Sequence, residues 1–353
     1  MAYTDIDKPS DYFNTKLYTG TGSEHAISGI GFAPNLVWLK CRSDANNPML
    51  FDTVRGATKN LYPNLTTAEG TEAQSLKSFD SDGYTLGTES DINGSSKTNV
   101  GWNWKAGTSF TNDASATGIG SIDSTGSVNT DAGFSIISWT GDGNNGATIA
   151  HGLGVTPAIV ITKRRSAVGD WLVGGSTINT ARGGANSLLL LNTNAAMDSN
   201  SEVYQTFSST TFQVGVNAYA NTSGSTMISY CFAEKKGYSK FGSYTGNGNA
   251  DGTFVYTGQK SAFIMIKASS RAGTWNMYDV KRSTFNNVDD FITANTPDAE
   301  TTGNTYQNID ILSNGFKCRG TGTGTNESGS TYIYMAFAEN PFVTSTGVPA
   351  TAR

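Results

Sequence analysis

An aromatic residue followed by Thr-Gly-x-Gly occurs three times in this chain of 353 residues: Tyr18–Gly22, Trp139–Gly143 and Tyr244–Gly248. Each is followed by an apolar run that ends in lysine: LVWLK to Lys40, IVITK to Lys163 and FIMIK to Lys267, at 22, 24 and 23 residues from the aromatic. Further on stands a glycine, then an asparagine six residues later, then an aromatic eleven beyond it: Gly87, Asn93 and Trp104; Gly215, Asn221 and Phe232; Gly320, Asn326 and Phe337. Fixed spacing of this kind commits a chain to building one unit several times over. It predicts units of roughly 100 residues at 13–107, 133–237 and 238–343. An arm (1–12), a Ser/Thr/Gly-rich linker (108–132) and a tail (344–353) complete the chain, and the second and third units abut at Lys236-Gly237-Tyr238.

The lysine-ended runs are short, β-branched and aromatic, and bounded by turn formers, as buried strands are. Phe79–Gly87 and Ile311–Phe316 read as strand, turn, strand, while Phe207–Phe212 lacks the glycine of that turn. The last strand alternates, with Tyr332, Tyr334 and Ala336 on one face and Ile333, Met335 and Phe337 on the other. Charged residues are only 15%, and 41 glycines accompany many Ser, Thr and Asn, which suits sheets joined by tight turns. Helical patterning is weak; Val54–Leu61 and Asn287–Ala294 are the candidates, each near a matching loop, Asn64–Glu69 and Asn295–Glu300. The expected class is all-β: three tandem β-sandwich-like repeats, jelly-roll or concanavalin-like.

The net charge is −5 and no basic run exists, which argues against nucleic acid as a partner. No stretch approaches 18 apolar residues, so no membrane span is expected, and the first residues have no apolar signal region. Cys41, Cys231 and Cys318 are odd in number and far apart, which argues against a disulfide framework or a zinc knuckle and for synthesis in a reducing cytoplasm.

Catalytic constellations are not apparent. His25 and His151 do not correspond to each other and the third unit has no histidine, so a shared Ser-His-Asp site is excluded and a turn-capping role is expected for each. Asp80 and Asp82 are a close carboxylate pair whose counterparts are Ser or Asn; turn chemistry is expected there, not metal or acid–base work. Lys40 with Arg42, and Lys163 with Arg165, form a recurrent K-x-R at a strand end. It is a candidate anion contact, with a solvated strand edge as the plainer reading. Arg55 is expected to brace its loop by pairing with Asp52. Trp171 and Trp275 hold like positions eight residues past their lysines and are candidate glycan platforms, with core packing as the default. No cofactor and no metal is expected.

Tyr18–Gly22, Gly29–Arg42, Phe51–Gly56, Ser78–Gly87 and Val100–Ala106, with the opening MAYTDIDKPSDYF and the closing AFAENPFVTSTGVPATAR, resemble a family of repeat proteins of marine tailed phages. That family includes proteins of phages infecting cyanobacteria and ocean heterotrophs. The resemblance covers nearly the whole chain. It is closest in the first unit and loosest in the third, where the GxGFxP and VRG elements are degraded. It implies a non-enzymatic virion protein, tail-associated as a short fibre, baseplate or adaptor component, that meets other virion proteins and a host-surface glycan. Such proteins assemble with cyclic symmetry, so a homotrimer is expected. A capsid decoration protein and a glycan-binding receptor-recognition module are the alternatives. A polysaccharide-degrading enzyme is disfavoured, because no acidic pair recurs.

Overall fold

The structure, a computed structural model, describes residues 4–352. It is nearly all β, in antiparallel sheets. The strands in chain order are β1 Phe13–Thr19, β2 His25–Ser28, β3 Leu36–Cys41, β4 Met49–Asp52, β5 Leu76–Asp80, β6 Gly83–Leu86 and β7 Thr98–Trp104. Then come β8 Thr108–Asn112, β9 Ser124–Asn129, β10 Phe134–Thr140, β11 Ala147–Ala150, β12 Ile159–Arg164, β13 Trp171–Gly174, β14 Ser187–Leu190, β15 Tyr204–Phe207, β16 Thr211–Val214 and β17 Thr226–Phe232. The last are β18 Ser239–Thr245, β19 Phe254–Tyr256, β20 Gln259–Ala268, β21 Trp275–Asp279, β22 Ile309–Leu312, β23 Gly315–Cys318 and β24 Thr331–Pro341. Two-residue strands at 59–60, 70–71, 198–199 and 292–293 are left without labels.

Three large sheets contain the orders β1-β7-β3-β4, β10-β17-β12-β13 and β18-β24-β20-β21, and three small sheets have the orders β2-β6-β5, β11-β16-β15 and β19-β23-β22. Side-chain alternation shows how they pack. In β3, Val37 and Leu39 face an apolar cluster shared with β2, β5 and β6, whereas Leu36 and Trp38 face the opposite way. In β12, Val160 faces its small sheet and Ile159 and Ile161 the other side; β20 divides Ile264 and Ile266 from Phe263 and Met265 in the same manner. The second faces of all three large sheets meet in one central cluster. These strands are therefore buried on both faces, which is why they read as continuous apolar runs.

At the centre stand Trp104, Phe232 and Phe337, which hold the same position on β7, β17 and β24, opposite Leu36, Ile159 and Phe263. Their ring centroids are 6.4 Å (Trp104–Phe232), 5.6 Å (Trp104–Phe337) and 5.8 Å (Phe232–Phe337) apart, within the range of favourable aromatic pairs. The packing leaves an enclosed void of only about 20 Å³.

The recurring glycines and asparagines make the turns. Gly22, Gly143 and Gly248 have φ of 68°, 78° and 67°, the left-handed region that glycine enters without strain. Asn93, Asn221 and Asn326 are fully buried and span that turn. Their Oδ1 atoms accept from the backbone N–H of Thr21, Asp142 and Asn247, and their amides donate to Ser23 O, Asn144 O and Asn249 O.

Several expectations need correction. Residues 108–132 are not a linker. Strands β8 and β9 form a hairpin that extends the second large sheet at the edge of β10, with Phe110 and Val128 packed on the apolar cluster of β11 and β12. Ser and Thr serve well on such an edge, where both strand faces are partly wet. Nor is the arm free: Ile6 joins the central cluster and Thr4 Oγ1 donates to Lys236 O at 2.9 Å. In the tail, Ala350 N donates to Phe342 O at 2.8 Å. Neither helix candidate is helical; 54–61 is turn and short strand, and 287–294 is irregular apart from isolated bridges at Val288 and Phe291 and the short strand at 292–293. The longest helix among the described residues is Ser176–Arg182, ended by Gly183 with φ 79°.

Candidate functional site

The strand period puts Lys40 on the same face as Leu36 and Trp38, Lys163 with Ile159 and Ile161, and Lys267 with Phe263 and Met265. Each lysine thus ends an apolar row, at the seam with a neighbouring sheet. All three are fully buried. Lys40 Nζ donates to Pro297 O at 3.1 Å and Cys41 O at 2.8 Å. Lys163 Nζ donates to Thr66 O at 2.9 Å and to Gly169 O. Lys267 Nζ donates to Ala195 O and Ala268 O at 2.8 and 2.7 Å. Burial pushes all three ammonium groups down to a pKa of about 8.

The clasping loops correspond: Asn295–Glu300 holds Lys40, Asn64–Glu69 holds Lys163, and 192–197 holds Lys267. A backbone bond accompanies each: Glu300 N to Arg42 O at 2.8 Å, Glu69 N to Arg165 O at 2.9 Å, and Met197 N to Ser269 O at 2.7 Å. The first segment is held by the third, the second by the first, and the third by the second. The direction is the same at every seam.

Two seams add buried charge. Asp52 pairs with Arg55 at 2.5 Å, Arg55 reaches Glu69 at 3.2 Å, and Glu69 pairs with Arg165 across the seam at 2.8 Å. Asp279, Arg282, Glu300 and Arg42 repeat the chain at 2.5, 2.9 and 2.8 Å. A buried carboxylate needs every lone pair used, and each of these Asp residues takes one more donor from across its seam. Tyr230 Oη donates to Asp52 at 2.7 Å, and Trp102 Nε1 donates to Asp279 at 3.0 Å. At the third seam the position matching Asp52 and Asp279 is Gly175, and the position matching Trp102 and Tyr230 is Met335. Acceptor and donor are lost together, so neither is left unpaired.

Lys40, Arg42, Lys163 and Arg165, the expected anion contacts, are therefore occupied by carbonyls and carboxylates of the chain itself, and they are no solvated strand edge. Trp171 and Trp275 are each 1% exposed and lie in the central cluster, so they offer no sugar platform. They sit opposite Lys163 and Lys267 and donate from Nε1 to Tyr62 O at 2.9 Å and Leu190 O at 3.0 Å, across the same seams. The first segment has Pro48 at the matching place.

His25 Nδ1 lies 3.3 Å from Asn93 Oδ1. His151 Nδ1 accepts from Leu153 N at 3.2 Å, which leaves the Nε2 proton to donate to Ser208 O at 3.2 Å; burial pushes its pKa down to about 4. Asp82 accepts from the N–H groups of Gly29 and Gly31, which holds its carboxyl below the usual range, and Asp80 accepts from Ser78 and Thr85. The three cysteines are free and buried. Among the described residues no group of three or more His, Cys, Asp and Glu is placed to hold a metal ion, and no helix is long and apolar enough to cross a membrane.

Sequence reasoning found the Asp52–Arg55 pair and the likeness of Asn64–Glu69 to Asn295–Glu300. It missed the third loop, where Met197 replaces the glutamate, and it missed that the loops grip lysines from a different segment. The recurrent lysine and the recurrent loop were both visible, and their matching number was the available signal.

The geometry defines an all-β protein whose three large sheets share one apolar centre and are locked by buried Lys, Arg and Asp side chains at their seams. The chain belongs to the family described as Domain of unknown function (DUF7483), whose model matches residues 8–341. Comparison with curated proteins and with solved structures finds no match.

Proposed function

We propose that the chain is a non-enzymatic structural protein of a tailed-phage particle, tail-associated, in which one sheet-built unit is present three times and closed into a single pseudo-three-fold body. The observation that carries the reading is the triple clasp of Lys40, Lys163 and Lys267. The charged side chains that recur along the chain are spent on holding the segments to one another. Rigidity of that kind serves assembly, and the motif resemblance supplies the kind of assembly. Quantitative mass spectrometry of purified particles tests it. Tens of copies per particle support the tail; absence from particles overturns the reading.

A second reading, capsid decoration, is favoured by one observation. Three seams with the same lysine clasp, arranged around Trp104, Phe232 and Phe337, would suit a single chain to a three-fold lattice point. Hundreds of copies per particle would select it. A glycan contact in either role has no footing at Trp171 or Trp275.

A further inference from the structure

We infer that the open edge of β1 is an acceptor for one extended β-strand of another polypeptide chain. Lys105 N donates to Tyr12 O and Gly20 N to Lys97 O, in register with the β1–β7 pairing. The even-numbered residues between them, Asn14, Lys16 and Tyr18, therefore direct their N–H and C=O groups to β7. Phe13, Thr15, Leu17 and Thr19 direct theirs outward. No strand among the described residues pairs with that side of β1.

The same edge exists on the other two large sheets, and there another segment of the chain lies against it. On β10, Phe134 corresponds to Phe13, since each faces the matched aromatic of its neighbour, Phe232 or Trp104. The outward groups of Phe134, Ile136 and Ser138 meet β9, in register with Asn129, Ser127 and Thr125. The chain itself thus shows what this edge accepts: an antiparallel strand of small polar residues, Ser-Thr-Gly-Ser-Val-Asn. At β18 the helix Ser176–Arg182 lies alongside the edge, and Thr177 and Thr180 line a groove with Phe241 and Gly242. Beside β1 the corresponding segment, from Lys281 onward, forms a turn and no helix. A groove of 290 Å³ runs there between Phe13, Asn14 and Thr15 on one side and Val280, Lys281 and Asn340 on the other. Unpaired backbone groups in register are a template for strand addition. The occupant belongs to another protein, because the chain's own hairpin is already used at β10.

The test uses the full chain and, as probe, a synthetic peptide of residues 107–130, the hairpin that fills the equivalent edge. Hydrogen exchange of the free protein should show fast amides at Thr15 and Leu17 and slow ones at Ile136 and Ser138. Excess peptide should slow the Thr15 and Leu17 amides at least tenfold. Leu17→Pro removes one outward donor and no bond to β7, a substitution that edge strands tolerate. It should weaken peptide binding tenfold or more while the melting transition persists. Slow Thr15 and Leu17 amides in the free monomer, no added protection with peptide, or undiminished binding by Leu17→Pro would each overturn the inference. So would self-association that protects these amides, since the occupant would then be a second copy. The exchange data on the unaltered protein decide the matter even if Leu17→Pro does not fold.

Discussion

Lys163 Nζ donates to the carbonyl oxygen of Thr66, 2.9 Å away in space and 97 positions earlier in the chain. The bond crosses a seam, and removing it exposes two carbonyls, Thr66 O and Gly169 O, to an apolar surrounding. Lys163→Met is expected to cost about 2–4 kcal/mol at pH 7, from unsatisfied acceptors. The pH dependence has a definite sign. The folded pKa of about 8 lies below the unfolded value of 10.5, so the folded protein sheds this proton first as pH rises. Between pH 8 and 10.5 the unfolded state binds more protons, and stability from this group rises with pH. Urea melts at pH 7.5, 9 and 10 should show wild type gaining on Lys163→Met.

Phe337 touches rings from all three segments: Trp104 at 5.6 Å, Phe232 at 5.8 Å and Phe241 at 5.8 Å between centroids. Phe337→Ala should cost about 3–5 kcal/mol, as truncation of a buried aromatic does. The loss belongs to every segment at once. Tryptophan fluorescence, near-ultraviolet and far-ultraviolet circular dichroism should therefore shift together, in one transition. Separate transitions for the segments would contradict a shared centre.

Arg55 and Tyr230 both serve Asp52, and they should not be equivalent. Arg55→Met leaves a buried carboxylate with no cation and should cost about 3–5 kcal/mol. Tyr230→Phe removes one hydrogen bond to a charged group and should cost about 1.5–3 kcal/mol. In the double variant Tyr230→Phe, Asp52→Asn the two effects should fall short of their sum, because they share one contact across the seam. Chemical denaturation of the four proteins gives the coupling.

His151 should steepen the acid limb of stability. Its folded pKa of about 4 lies below the ordinary imidazole value of 6.5, so the folded state refuses a proton that the unfolded chain takes. The contribution is complete above pH 6.5 and is lost as pH falls to 4, with a ceiling of about 3 kcal/mol. His151→Gln should lose less stability than wild type over that window, with equal slopes above pH 7. Thermal melts from pH 8 to 4 check it.

The turn glycines were legible in the sequence, because a left-handed φ such as that of Gly22 is a local requirement. Asn93 was legible only as a spacing, since the turn it spans, at Thr21 and Ser23, lies 72 and 70 positions earlier in the chain. The lysine-ended strands were equally plain, but the fate of Lys40 depends on Pro297, which lies in another segment. A strand-terminal lysine is usually wet, and only the seam makes it dry. Trp171 and Trp275 show the same limit. Their like spacing was legible, while their burial follows from three sheets meeting face to face. At 108–132 the failure was of a different kind. Ser, Thr and Gly suit a flexible connection and a half-wet sheet edge alike, and β10 decides between them. That Gly175 stands where the other segments have Asp52 and Asp279, and Met335 where they have Trp102 and Tyr230, could not be read at all until the sheets were in register.

Because every seam is gripped in the same rotational sense, no segment is terminal in the mechanical meaning of the word. A cut in the backbone between the second and third segments would leave each of the three clasps intact. The pieces would stay together like the stones of an arch, each kept in place by the thrust of the next. Such a body resists being pulled apart from its ends, and a protease that nicks its surface removes continuity without removing form.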